Sequence, residues 1–409
     1  MVATEKKLHD IFNDVVLQGE ARQKALQALE NLQIPTTKHE EWKYTNLKGL
    51  LNETWQLASK NAISEIEKHF VLQDTYRMVF INGFLQESHS ILPKQVEMLS
   101  IVEAEKKGKL QGYFAKTLDI EKDYFNALNT AFAQNGYFLH IPAKVVLDKP
   151  LVIYHLSSGE STAFLQRNVI IAEPSSEVQV INMYLAEGEH VSFASEVTEI
   201  FVSENAHFSF YKLQNEQNKI YRVDTTQVEQ QNYSHFASYT FSLAGHLVRN
   251  NLNMLIEGEH CETLMYGLSY LKGKSHIDHH TLADHRKPNS YSNELYKGLF
   301  DESATGVFNG KIYVRPEAQK TNAYQQNRNV LLSEQASIYT KPQLEIWADD
   351  VKCSHGATTG KLDETALFYM RSRGISEAVA RKILLQAFAE EVIEKIPFEP
   401  LQEYIKNLL

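Results

Sequence analysis

A thiol and an imidazole lie two residues apart, Cys353 and His355, in the stretch LEIWADDVKCSHGATTGKLDETALFYMRSRG that runs from Leu344 to Gly374. On an extended backbone alternate residues share a face, so both side chains point the same way. Thiolate and imidazole suit zinc, copper, iron and iron–sulfur clusters. Two donors do not complete a coordination sphere, so a metal held here takes further ligands from elsewhere in the chain or from a partner. The pair could also act as nucleophile and base, but alternate residues of one strand control that geometry poorly, and no third group is placed to orient the imidazole. A plain structural role for Cys353 is the simplest reading of the residues alone.

A second cluster runs from Ser275 to His285 as SHIDHHTLADH. Strand periodicity puts His276, Asp278 and His280 on one face and His279 on the other. Imidazole with carboxylate could hold zinc or iron; in stacked strands the same residues form hydrogen-bonded ladders. No C-x2-C or H-E-x-x-H frame selects the metal. The scattered His155, His207, His235, His246 and His260 follow no such pattern. Gly356-Ala-Thr-Thr-Gly360-Lys361-Leu362 resembles a phosphate-binding loop, but it has one residue too few between its glycines. It also has Leu362 where a magnesium-binding hydroxyl belongs. It reads as a turn. No G-x-S-x-G elbow is present, and the adjacent Asp349 and Asp350 point apart on a strand.

A chain of 409 residues can bury a large core and divide into two or three domains. A formal charge of −10 argues against a nucleic-acid partner. Two cysteines, Cys261 and Cys353, exclude a multi-disulfide framework and a four-cysteine cluster within one chain. A reducing, cytoplasmic setting is expected. No cationic stretch leads into an apolar run of signal-peptide length, and no uncharged apolar run reaches membrane-spanning length.

Three regions position these residues. Residues 1–135 read as helical and mixed. Leu8, Ile11, Phe12, Val15 and Val16 form one apolar stripe, and Ala25, Leu26, Ala28, Leu29 and Leu32 form another, giving helix over 4–32 with an interruption at Gly19. Glu40-Glu41-Trp42-Lys43-Tyr44-Thr45 reads as an amphipathic anchor, with Trp42 and Tyr44 packing on the helices. Tyr124–Phe132 reads as helix.

Residues 136–360 change texture. Short strand-like runs follow one another, among them Leu151–His155, Val178–Tyr184, His207–Leu213, Phe236–Leu243, Leu252–Ile256, Lys311–Val314 and Leu344–Trp347, with polar turns between. Helix signals nearly vanish, which excludes a crossover helix after each strand. So many strands exceed a sandwich and fit a coil in which each turn buries its inward side chains against the next. The inward set contains Val178, Val180 and Asn182, or His207, Ser209 and Tyr211, according to register. Asn250, Asn251 and Asn253 suit ladder positions. No strict repeat is visible, so the coil is irregular. Its end strands need helical caps or pairing with another protein. Residues 361–409 are helical, with Asp363 and Ser376 as N-caps and Pro397 as a terminator. Arg371, Arg373, Arg381 and Lys382 give this module a basic edge, and Ile383 and Phe388 lie on its apolar stripe. Both features fit helix packing or a docking face.

The segment DVKCSHGATTGKLD from Asp350 to Asp363, with FYMRSRGISEAVAR from Phe368 to Arg381, closely resembles the SufB/SufD family of iron–sulfur cluster assembly proteins. Glu40–Thr45, Asp278-His279-His280-Thr281 through His285, and Ser292 through Lys297-Gly298 are similar to further family elements, so the likeness spans almost the whole chain. Length, the N-terminal region and the shortage of cysteines place it with the SufD branch. The resemblance implies a mainly β fold, a right-handed parallel β-helix core flanked by helical regions. It implies a non-catalytic scaffold that pairs with a SufB subunit through its end strands and binds a SufC ATPase through its C-terminal helices, Arg371, Arg373, Ile383 and Phe388 among them. A homodimer is an expected alternative when the chain is alone. It further implies that His355, with Cys353 beside it, ligates iron or a nascent cluster held transiently at the SufB interface, with nothing tightly bound to the isolated chain. The competing expectation is a metal-independent adaptor that only couples SufC to SufB.

Overall fold

A computed structural model of the chain describes residues 8–12, 19–60, 63–217 and 219–409. From Tyr137–Ile141 onward the chain places one strand in one sheet and the next in the opposite sheet, so pairing skips a strand. Lys219–Gln230, for example, pairs in parallel with Val191–Val202 before it and Leu247–Ile256 after it. The result is two ten-stranded sheets face to face, a β-solenoid of about eight turns, with 45% of the chain in strand and 21% in helix. Period-two alternation drives it. Val178, Val180, Phe208, Phe210, Phe236, Ile200, Val228 and Met254 point into one core between the sheets. His207, Ser209 and Tyr211 therefore face outward, and the inward register of Val178, Val180 and Asn182 is the one adopted.

The repeat is carried by backbone conformation rather than by residue type. Ser175, Asn205, Tyr233, His260, Asn289 and Lys320 all have φ between 55° and 65°, one such corner in each of six successive coils. The corners stack by backbone hydrogen bonds, as from Asn205 N to Asn232 O and from Tyr233 N to Glu259 O. Serine, asparagine, tyrosine, histidine and lysine share nothing that a sequence repeat would show.

The solenoid begins within the first 135 residues. Tyr76–Ile81 pairs in parallel with Leu151–Ser158, and Phe84–Leu85 and Glu97–Ser100 turn back antiparallel on the first strand of each sheet. The helix expected over 4–32 is a 3-10 turn at Leu8–Phe12 and an α-helix at Glu20–Asn31, with Gly19 (φ 141°) at its start; Val15 and Val16 lie outside the described residues. Helix Tyr124–Phe132 is capped by Asp123, whose carboxylate accepts from Asn126 N. Leu29, Trp42, Phe125 and Leu128 cover the outer face of one sheet at Leu165, Phe193, Tyr221 and Val223.

The C-terminal helices Glu364–Ser372 and Glu377–Ile393 start at the expected caps Asp363 and Ser376. A third, Glu399–Leu408, follows Pro397 and was not legible in the sequence. Together they cover the other sheet: Ala389, Val392, Ile393, Leu401 and Ile405 pack on Tyr211, Tyr239, Tyr266, Leu268 and Leu295. The module thus forms a second hydrophobic core with the outer face of that sheet. No helix among the described residues is long and apolar enough to cross a membrane.

Candidate functional site

The last strand of each sheet, Ser337–Ile346 and Lys352–Lys361, pairs on one side only. The second of these corrects the sequence reading: the stretch from Gly356 read as a turn continues the strand of Cys353 and His355 as one full edge strand. Its register sets Cys353 beside Ala323 and His355 beside Gln325, both on the face turned toward the space between the sheets. Cys353 is half-buried against the inter-sheet core, and its burial pushes the thiol above its usual range. A protonated thiol is a poor nucleophile, but a metal deprotonates it on binding. His355 stands at the rim, exposed, as do the residues after it through Lys361. The two donors therefore sit at the open mouth of the coil, where a second polypeptide can reach them.

His276, Asp278 and His280 point outward from a middle strand, with His279 inward as the periodicity requires. The N-terminal segment Glu40–Thr45 lies across them. Thr45 Oγ1 donates to Asp278 Oδ2 at 2.6 Å, and Arg249 Nη1 donates to the same oxygen at 2.7 Å. With the Thr45 hydroxyl proton so used, His276 Nε2, 2.9 Å from Thr45 Oγ1, must be the donor to it. His280 lies 3.0 Å from Asp278 Oδ1 and 3.3 Å from Glu41 Oε2. Burial would raise the Asp278 carboxyl, but Arg249 and His280 outweigh it and hold the group well below the usual carboxylate range. The hydrogen bond from His280, reinforced by Lys311, lowers Glu41 to about 2. These side chains satisfy one another and brace a strap. Among the described residues no three His, Cys, Asp or Glu side chains converge to hold a metal ion.

The strap is an element that the sequence placed only in part. Trp42 does pack on the helices, 5.4 Å from Phe125, and carries the Arg249 guanidinium 4.0 Å from its ring centre. Tyr44 instead stacks on Tyr339 of the edge strand at 4.1 Å, and Glu40 reaches Lys341 of that strand at 2.5 Å. Six residues thus tie four successive turns of one sheet, ending at the open edge.

On the C-terminal helices, Arg371 and Arg373 are exposed, the first 3.3 Å from Glu377. Ile383 is exposed, but Phe388 turns toward the solenoid, where Lys297 donates to its carbonyl at 2.7 Å and lies over its ring. Phe368 and Tyr369 are 72% and 60% exposed, with Val379 nearby in sequence at 51%. The signal for them was present: in LFYM, Leu367 and Met370 share the inward face three residues apart, which leaves the two aromatics between them unburied.

These features define a two-sheet parallel β-solenoid with helices on both outer faces and a thiol–imidazole pair at its open end. Residues 155–388 match the family model described as SUF system FeS cluster assembly, SufBD core domain, and residues 5–153 match the SufBD protein N-terminal region. The chain is 33% identical to an iron–sulfur cluster assembly SufBD family protein of Synechocystis sp., over 94% of this chain and 89% of that one. It is 30% identical to the iron–sulfur cluster assembly protein SufD of Escherichia coli, over 94% and 90% respectively. The chain belongs to the SufBD family of iron–sulfur cluster assembly proteins.

Proposed function

We propose that the chain is a SufD-like scaffold subunit, without catalytic chemistry of its own, in a complex with a SufB-like subunit and a SufC-like ATPase. One observation carries this reading: the thiol and imidazole of Cys353 and His355 lie on one face of an edge strand whose outer hydrogen-bonding groups have no strand partner among the described residues. A SufB-like strand added to that edge would satisfy the backbone and bring the missing thiolates. His355 then serves as a terminal ligand to iron or a nascent cluster, which is cargo. Mixed, incomplete ligation from each side favours release over permanent retention.

The test is anaerobic reconstitution with the cognate SufB-like and SufC-like subunits, reading iron and acid-labile sulfide. His355→Ala should cut cluster accumulation severalfold while the complex still assembles. Unchanged accumulation would leave the adaptor reading, in which the chain only couples the ATPase to its partner. The ATPase is assigned to the exposed patch of Phe368, Tyr369, Val379 and Ile383. Truncation after Gly360 would bare Tyr211, Tyr239 and Tyr266 and unsettle the coil, so the cleaner probe is Phe368→Glu with Tyr369→Glu, which should abolish co-purification of the ATPase at unchanged thermal stability. Retained binding would remove that assignment.

A further inference from the structure

Glu294, Gln325 and His355 occupy neighbouring places on three successive strands and share one face, turned into the solenoid. Glu294 and Gln325 are buried, at 0% and 1% exposure. Gln325 Nε2 donates to Glu294 Oε2 at 2.7 Å. From the opposite sheet, Gly310 leaves the space the amide occupies: a Cβ there would stand 2.4 Å from Gln325 Nε2 and 2.9 Å from its Cδ. The amide is therefore clamped between a carboxyl group and a glycine, with Nε2 on the carboxyl and Oε1 left over. That end, Oε1, is buried and has no hydrogen-bond partner among the described residues. An unmet buried acceptor is costly and rare in a folded chain. The next side chain along the column is the imidazole of His355, one strand spacing of about 4.8 Å away, and a ring N–H is the donor that Oε1 lacks.

We propose that Gln325 is a positioning residue for His355: its Oε1 accepts one ring N–H, so the other ring nitrogen is presented unprotonated to a metal at the open end. Glu294 and Gly310 act through Gln325 by holding its amide. A metal-binding histidine needs such a partner on its second nitrogen, because that hydrogen bond fixes both tautomer and ring orientation. The inference rests on the reading of His355 as a ligand, yet the positioning can be tested in the absence of metal.

The experiment is long-range nitrogen–proton NMR of the full chain labelled with nitrogen-15 histidine, at a pH where imidazole is neutral. His355 is identified by the signal lost in His355→Ala. In the native chain the His355 tautomer ratio should differ from that of an unconstrained imidazole. Gln325→Met, similar in shape but without the acceptor, should return it to the unconstrained ratio. Gly310→Ala, which displaces the amide, should do the same, so a poorly folding variant at one position does not decide the matter. Thr340 Oγ1, on the opposite edge strand, is also buried without a partner, and Thr340→Val should leave the ratio unchanged. A native ratio equal to the unconstrained one, or one insensitive to Gln325→Met in a folded chain, overturns the proposal. Iron retention by the partner complex separates the two claims. If Gln325→Met resets the tautomer while His355→Ala leaves iron retention intact, the positioning stands and the ligand role falls. If both hold, Gln325→Met should weaken retention about 10- to 100-fold.

Discussion

Where the solenoid begins, Phe84–Leu85 and Glu97–Ser100 fold back across the first strands, and the space between the sheets is filled by Met78, Phe80, Leu139, Ile141 and Ile153, all at 0–1% exposure. Where it stops, Ser337–Ile346 and Lys352–Lys361 have no such cover, and the inward positions pass from Phe236 and Met265 to Gln325, Thr340 and His355. One end is finished within the chain by antiparallel pairing and apolar packing. The other leaves backbone groups and polar side chains in want of partners. A free edge is an aggregation hazard that natural chains blunt, and here Pro342, Lys341 and the strap through Tyr44 limit one of the two edges, while Lys352–Lys361 stays open. The difference teaches that apolar packing is concentrated at the sealed end, and the proposed ligand role falls at the open one.

That contrast can be broken most sharply at Phe80, which lies 5.7 Å from both Tyr137 and His155 in the sealed core. Phe80→Ala should cost about 3–5 kcal/mol of unfolding free energy, read by urea or thermal denaturation; a cost under about 1 kcal/mol would mean that end is not the stable one. A smaller effect of the opposite sign is expected at Glu294, near the open end. Burial pushes its carboxyl up to about 7, from an ordinary value of 4.5. The folded chain then keeps a proton that the unfolded chain releases, so stability should fall as pH rises from about 4.5 to about 7. Glu294→Gln removes that penalty. The variant should exceed the parent by on the order of 3 kcal/mol at pH 8 and come close to it near pH 4.5; a difference that does not vary with pH would contradict the buried, protonated carboxyl. The smallest effect belongs to His355. Exposed at the rim, it should change the stability of the lone chain by no more than about 0.5 kcal/mol on replacement by alanine, although the same change is expected to impair the assembled complex. A large loss in the lone chain would return His355 to a structural role.

Much of this was legible because local physics decided it. Alternation along Val178–Tyr184 and His207–Leu213 identified strands, and Asp363 and Ser376 marked helix starts by their capping side chains. Strands Glu262–Leu271 and Tyr291–Phe300 were harder to see, because polar inward residues such as Glu294 interrupt the alternation. Lys352–Lys361 was misread for a related reason. At an open end neither face is fully buried, so no hydrophobic pattern develops, and only its hydrogen bonds to Asn322–Leu331 make it a strand.

The sequence by itself determined the class of fold, the helical flanks and the donor pair, since periodicity, capping and side-chain chemistry act over a few residues. Tertiary structure alone decided which residues meet across coils: Arg249 with Asp278, Tyr44 with Tyr339, Gln325 with Glu294 and Gly310. Those meetings depend on the register between turns, which is set by how the corners close, and corner geometry here is a matter of backbone angle that five different kinds of side chain adopt.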